Sequence, residues 1–280
     1  MDTWVFAAAL TSALLHALWN AAIKAHPVPR EAMAAQMTGA ALIALPGLAW
    51  TGLPPPAAWP WIALSTAMNM GAVVALLRAY ERGGFGTVYP TARAAAVLGV
   101  VAVAPLVMGE RLGPLALAGV LLVAAALVLL GFDTRRAGAG HLPRAALGWT
   151  LAAGALIAVY VLADAQGVRA SGAPLAYGFV VSVTNALAIG WLYRRAGSPW
   201  QLLRRHARLA VPAASASMAS YVLILWAFLH APVALAAALR DTSAVFAMLI
   251  AVLWLKEPLP PRRVAVLLLA VAGALLLRMG

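Results

Sequence analysis

Five ionisable residues inside long apolar stretches of the sequence could do chemistry: His16, Arg93, Asp164, Arg240 and Asp241. In hydrocarbon surroundings a charged side chain costs about 2.5–3.5 kcal/mol, so it is kept only where it pairs or binds something. A guanidinium binds a carboxylate through two parallel hydrogen bonds, and carboxyl and imidazole groups exchange protons. These residues therefore indicate anion binding or proton transfer in an apolar interior.

The positive-inside rule does not explain Arg93 and Arg240, because both lie inside predicted spans rather than in the connections. Arg93 lies about five residues into an apolar run at 88–109, and Arg240 is at a similar depth in a run at 234–255. We expect them at opposite ends of one cavity, Arg93 toward the cytoplasm and Arg240 toward the outer side, where they attract a carboxylate. The alternative is that both side chains extend to lipid headgroups.

Asp164 and His16 each allow two interpretations. Asp164 neutralises an arginine on another helix, which we favour because charged groups inside spans commonly pair, or it carries a coupling proton. His16 is a hydrogen-bonded packing residue or takes up a proton near neutral pH. Asp241 follows Arg240 directly, but adjacent helical residues point about 100° apart, so we do not expect these two to pair.

Aromatic and amide residues in the same runs suit the wall of a cavity for a small zwitterion, since they supply flat apolar surface with a few donors and acceptors. This set consists of Trp19, Asn20, Asn69, Tyr80, Tyr89, Tyr160, Tyr221 and Trp226. The serines near Tyr221 fit close helix packing better, because membrane helices associate through small residues.

The composition places these residues in a membrane protein. The 280 residues are 64% hydrophobic and 10% charged, whereas a soluble domain is about 45–50% apolar and about 25% charged. With no Cys, disulfide and thiolate chemistry are excluded. The uniformly apolar runs predict an all-α membrane protein with ten transmembrane helices. The predicted spans are 4–24, 31–52, 59–82, 88–109, 113–132, 145–169, 174–195, 208–230, 234–255 and 262–279.

The basic residues report orientation. Fifteen of the twenty Lys and Arg fall in the odd-numbered connections between spans, which therefore face the cytoplasm, with both termini outside it. The net charge of +12 thus indicates a lipid bilayer as partner and no nucleic acid. The segment Ser198–Arg208 is either a short helix lying on anionic headgroups or a basic stop signal.

The two halves of the chain align at an offset of 147 residues, and five spans per half require the halves to run through the membrane in opposite senses. This predicts two inverted five-helix repeats at 1–136 and 137–280, an arrangement typical of transporters with a substrate site between the repeats. Glu110 and Glu257 each lie at the end of a span beside a basic residue, so we interpret them as interface ion pairs or helix-end caps. The matched positions are Arg93 with Arg240, Glu110 with Glu257, Leu112 with Leu259 and Pro114 with Pro261.

Several motifs resemble those of the EamA family of the drug/metabolite transporter superfamily. They are MGERLGPLALAG at 108–119, LKEPLPPRRVAV at 255–266, LLHALWNAAIK at 14–24, YPTAR at 89–93 and ALRDTSAVF at 238–246. The resemblance implies a ten-span, two-repeat exporter of amino acids, other metabolites or toxic compounds, with a broad amino-acid exporter as the nearest functional type.

No nucleotide-binding, metal-binding or nucleophile motif is present, so we expect no ATPase, no cofactor, no metal and no enzymatic activity. We predict a secondary transporter of the bacterial inner membrane that exports amino acids or similar small metabolites by alternating access. Its cavity would be lined by spans 1, 3, 4, 6, 8 and 9, and a monomer is consistent with the sequence. The alternatives are a proton-coupled multidrug exporter, an intramembrane enzyme using His16 and Asp164, and a non-transporting scaffold or lipid-binding protein.

Overall fold

The computed structural model of the chain describes residues 1–134, 143–195, 197–254 and 260–280. These residues form α-helices and one short 3-10 turn, and no strand occurs among them, so the predicted all-α membrane fold is confirmed. The helices are α1 (Thr3–Lys24), α2 (Pro29–Thr51), α3 (Trp59–Tyr80), α4 (Phe85–Met108), α5 (Pro114–Thr134), α6 (Arg144–Ser171), α7 (Pro174–Leu192), α8 (Pro199–His230), α9 (Val233–Asp241), α10 (Ser243–Trp254) and α11 (Pro261–Met279).

Nine segments in the described part of the chain are long and apolar enough to cross a membrane. They are α1 to α8, each a single span, and the segment Val233–Ile250, which joins α9 to most of α10. The 19-residue α11 occupies the position of the predicted tenth span.

The ninth span differs from the prediction, which had one uninterrupted helix at 234–255. The helix breaks at Thr242, whose backbone N–H donates to Leu239 O at 3.2 Å, three residues back. The Thr242 hydroxyl donates to the same carbonyl at 2.6 Å. A Thr side chain that competes for a backbone acceptor weakens the regular helical bonding, so the span is divided directly after Arg240 and Asp241.

In one of the two interpretations, the segment before the eighth span is a short helix lying on lipid headgroups. Instead, α8 runs on from Pro199 with a kink at His206. Leu202 and Leu203 are buried and cluster with Ala34 and Ala35 of α2. The apolar side of this segment is therefore covered by protein rather than by lipid, and the interfacial-helix interpretation is wrong.

Several helix contacts recur when each helix is replaced by the corresponding helix of the other half of the chain. The contact of α3 with α6 has its counterpart in that of α8 with α1, and the contact of α4 with α6 has its counterpart in those of α9 and α10 with α1. The contacts α2–α7 and α5–α11 map onto themselves. Such recurring contacts are expected for two inverted repeats. The predicted boundary between residues 136 and 137 falls outside the described residues and stays a prediction.

The surface of the bundle is apolar. Large side chains such as Leu106, Leu187 and Trp50 are exposed by 84%, 69% and 80%, as expected for a surface that faces acyl chains. The amino group of Met1 donates to Arg278 O at 2.9 Å. The two termini therefore lie at the same end of the bundle.

Candidate functional site

A cavity of about 200 Å³ lies in the middle of the bundle. Its walls come from α1, α2, α3, α4, α6, α7, α8 and α9. At one end lie Asp164 and Arg240, each seven residues from the end of its helix on the side of the even-numbered connections. At the other end Asn20, Met33 and Leu76 lie within about one turn of the end of their helices. The cavity therefore occupies the half of the bundle that faces the odd-numbered connections.

The structure brings most of the sequence-predicted site residues to this cavity. Tyr80 and Trp226 are the exceptions. Tyr80 is the last residue of α3, beyond the end of the cavity wall, and Trp226 stacks on His230 with 4.4 Å between the rings. The residues that line the cavity are His16, Trp19, Asn20, Asn69, Tyr89, Arg93, Tyr160, Asp164, Tyr221 and Arg240.

Sequence reasoning missed the contributions of α2 and α7. Gln36, which is buried, and Met37 line the cavity from α2, and Asn185 lines it from α7. An isolated amide in a charge-free run is costly to bury without a partner, so Gln36 and Asn185 carried the signal that could have identified them.

Arg93 forms a buried ion pair with Asp241, across α4 and α9. This corrects the expectation that the two arginines lie at opposite ends of the cavity. Arg93 lies eight residues after Phe85 and Arg240 seven after Val233, about 10–12 Å from opposite ends of the bundle at 1.5 Å per residue. Both therefore reach the middle of a hydrocarbon core about 30 Å thick, where they flank one carboxylate.

Arg240 differs from Arg93 in its partners. It is 8% exposed and lines the cavity, yet it forms no salt bridge with any residue that the structure describes. Its buried Nε atom has no hydrogen-bond partner there either. As expected, it does not pair with Asp241, because the adjacent side chains diverge around the helix. Arg240 thus presents to the cavity a guanidinium that forms no salt bridge within the described part of the chain.

Asp164 is 2% exposed and is held by hydroxyl groups. Its Oδ1 atom accepts hydrogen bonds from Ser65 Oγ at 2.5 Å and from Tyr177 OH at 3.1 Å. The favoured interpretation of an ion pair is wrong within the described part of the chain, where Asp164 forms no salt bridge. The reason is local: a Cβ at Gly167 would overlap the Tyr177 ring, so the glycine admits that ring beside the carboxylate.

His16 and Trp19 form an edge-to-face pair on α1, with ring centroids 5.1 Å apart. Asn20 Nδ2 donates to the His16 carbonyl at 2.8 Å. The buried His16 Nδ1 and Trp19 Nε1 atoms have no hydrogen-bond partner among the described residues. Both rings therefore line the cavity with one unsatisfied polar atom each. For His16, the Nδ1 atom does not make the hydrogen bond of a packing residue to this part of the chain, so the alternative of proton uptake stays a prediction.

The opposite end of the bundle is closed by Glu110 and Arg169. Gly109 ends α4 in the left-handed conformation with φ of 66°, which favours glycine, and places Glu110 in the connection. Arg169 Nη2 donates to Glu110 Oε1 at 2.6 Å, and the Val233 N–H at the start of α9 donates to Glu110 Oε2 at 2.8 Å. Glu110 is therefore both an ion-pair partner and a helix cap, the two roles that the sequence left as alternatives, although its ion-pair partner is Arg169 on α6. Glu257 lies outside the described residues.

Arg169 extends the same closure to α8. Its Nε atom donates to Phe228 O at 2.9 Å and its Nη2 atom to Ala231 O at 3.1 Å. The ends of α4, α6, α8 and α9 are thus tied together where the cavity is absent.

A bundle of membrane-spanning helices, packed as two exchangeable halves around a central polar cavity, defines the class of membrane transporters. Residues 144–279 match the EamA-like transporter family, and this match supports the predicted resemblance to the EamA family of the drug/metabolite transporter superfamily.

Comparison of the whole fold also covers the first half of the chain. One solved crystal structure superimposes with a TM-score of 0.76 over 99% of this chain and 96% of the other, at 20% sequence identity. At that identity the likeness shows the fold alone. No curated protein matches the sequence.

Proposed function

We propose that the protein is a secondary transporter that exports amino acids or similar small metabolites across the bacterial inner membrane by alternating access. The observation that carries this proposal is the set of unsatisfied polar atoms around the central cavity: Arg240 Nε, His16 Nδ1, Trp19 Nε1 and Asn185 Oδ1. A buried polar atom without a partner costs about 1–3 kcal/mol. A polar ligand that bonds several of them recovers this cost when it enters.

The charges around the cavity support a substrate that bears a carboxylate. Arg93 is neutralised by Asp241, whereas Arg240 has no carboxylate partner among the described residues. A desolvated guanidinium facing a cavity favours an anionic group. The same charge disfavours a dedicated carrier of organic cations.

The direction of export is supported by the shape of the bundle. The cavity reaches toward the odd-numbered connections, and Glu110 and Arg169 tie the helices at the other end. If the odd-numbered connections face the cytoplasm, as their basic residues predict, this conformation loads substrate from the cytoplasm.

Counterflow into proteoliposomes preloaded with unlabelled substrate tests the proposal. We expect at least one labelled amino acid or small carboxylate metabolite to accumulate, with protein-free liposomes as the control and Arg240→Ala showing a strong loss. Flux that does not change with an imposed pH gradient would exclude proton coupling. Accumulation of cationic drugs and of no amino acid would instead favour the multidrug alternative.

A further inference from the structure

Two opposite charges face the central cavity without pairing. Arg240 on α9 and Asp164 on α6 both line it, each seven residues from the end of its helix on the side of the even-numbered connections. Neither forms a salt bridge within the described part of the chain. Since a buried charge without a partner is strongly destabilising, the space between them suits a ligand that carries both signs of charge.

Hydroxyl groups orient the Asp164 carboxyl group at the cavity. Ser65 and Tyr177 both donate to Oδ1. They hold the carboxyl group in one orientation, and the Tyr221 hydroxyl lines the same cavity. A primary ammonium group carries three N–H donors and no acceptor, so it can bond to a carboxylate oxygen beside these hydroxyl groups.

Arg240 supplies the complementary pole. Its Nε atom is buried and without a partner, and a guanidinium presents its donors in a fixed plane that matches the two oxygens of a carboxylate. Arg93 is a poor substitute although it lines the same cavity, because Asp241 already occupies it.

We propose that Arg240 binds the carboxylate and Asp164 the ammonium group of a zwitterionic α-amino acid, a specificity that rests on the transport function proposed above. The rest of the ligand then lies against flexible apolar side chains, Met33 and Met37 of α2 and Met218 of α8. Methionine adapts to ligands of different shape. The site therefore selects the two charged groups and tolerates variation in the amino-acid side chain.

The unmodified protein provides the first test. Counterflow of a labelled amino acid is measured in proteoliposomes against the unlabelled amino acid, its N-acetyl derivative and its amide. The N-acetyl derivative lacks the ammonium group that would pair with Asp164, and the amide lacks the carboxylate that would pair with Arg240. We therefore expect each derivative to compete at least about tenfold more weakly than the unmodified amino acid. Equal competition by all three would overturn the inference, although amino-acid transport would stand.

The second test uses two variants, each of which should lose discrimination against one derivative and keep it against the other. In Asp164→Asn the N-acetyl derivative should compete almost as well as the parent, while the amide is still rejected. In Arg240→Gln the amide should compete almost as well, while the N-acetyl derivative is still rejected. A purely structural role for either residue would lower transport without exchanging these preferences.

The double variant S12A/S220A is the matched control, because it removes two buried polar side chains that hydrogen-bond to each other and do not line the cavity. It should keep both discriminations. Loss of either discrimination in the control would show that selectivity does not depend on Arg240 and Asp164 in particular, and would contradict the proposal. If the unmodified protein transports no amino acid at all, the proposed function fails, which is a separate outcome from loss of crossed selectivity.

Discussion

At the residue scale, two arginines in equivalent repeat positions have different partners. The offset of 147 that relates Arg93 to Arg240 places Ala94 opposite Asp241. Both line the cavity, but within the described residues only Arg93 forms an ion pair with a carboxylate on another helix. The sequence predicted both arginines as a matched pair because the repeat is visible in it; the difference depends on Asp241, whose direction is set by packing.

The Arg93–Asp241 ion pair should dominate the stability contributed by these charges. Removing one partner of a buried pair costs about 3–5 kcal/mol because the other charge is left uncompensated. We expect Arg93→Gln and Asp241→Asn each to lower the melting temperature in detergent, followed by tryptophan fluorescence. The double variant R93Q/D241N should melt closer to the parent than either single variant does.

Strictly additive losses in the double variant would contradict a direct interaction between the two side chains. Arg82→Gln is a suitable surface control, because the Arg82–Glu81 pair is exposed. Exposed pairs contribute about 0–1 kcal/mol, so this variant should melt close to the parent.

At the element scale, the positions of the helices could be predicted well and their local breaks could not. Runs of uncharged residues long enough to cross the bilayer identify each span, and Pro at the start of α2, α7 and α8 marks where helices begin. The break at Thr242 and the burial of Leu202 depend on a side-chain bond and on packing against α2. The hydrophobicity pattern of the sequence indicates neither of these features.

The closure formed by the ends of α4, α6, α8 and α9 should control access from the side opposite the cavity. Glu110→Gln weakens the bond from Arg169 and the cap of α9. Val100, which is 1% exposed and lies nearer that end than Arg93 does, reports on opening when replaced by cysteine. We expect Val100→Cys to react severalfold faster with an impermeant maleimide when Glu110→Gln is also present.

The matched control carries Val100→Cys with Arg82→Gln, which alters an exposed arginine beyond the other end of the span. Its labelling rate should equal that of Val100→Cys alone. Equal rates in all three proteins would show that Glu110 does not hold this end of the bundle closed.

At the scale of the whole molecule, the orientation predicted from basic residues can be measured directly because the chain contains no Cys. Thr3→Cys reports on the amino-terminal end, and Glu81→Cys reports on the exposed connection after α3. In intact cells an impermeant maleimide should label Thr3→Cys at once and Glu81→Cys only after the membrane is permeabilised. The reverse pattern would place the odd-numbered connections outside.

The membrane class and the family could be recognised from the whole sequence, because apolar runs and short motifs are local features. The cavity could be predicted only in part. Ionisable residues in apolar runs mark it, but Gln36, Met37 and Asn185 join it through the packing of α2 and α7. The helices that the sequence did not assign to the cavity are those whose only signals were isolated amides and methionines.

The central claim is that substrate passes through this cavity. The most direct test is to block the cavity with a maleimide attached to a single cysteine on its wall. Met37→Cys places a thiol on the cavity wall, whereas Leu45→Cys places one on the same helix at a position that is 52% exposed on the apolar surface. After reaction with a bulky maleimide, Met37→Cys should lose amino-acid counterflow, excess substrate should slow its labelling, and Leu45→Cys should transport as before. Full transport by completely labelled Met37→Cys would contradict the account.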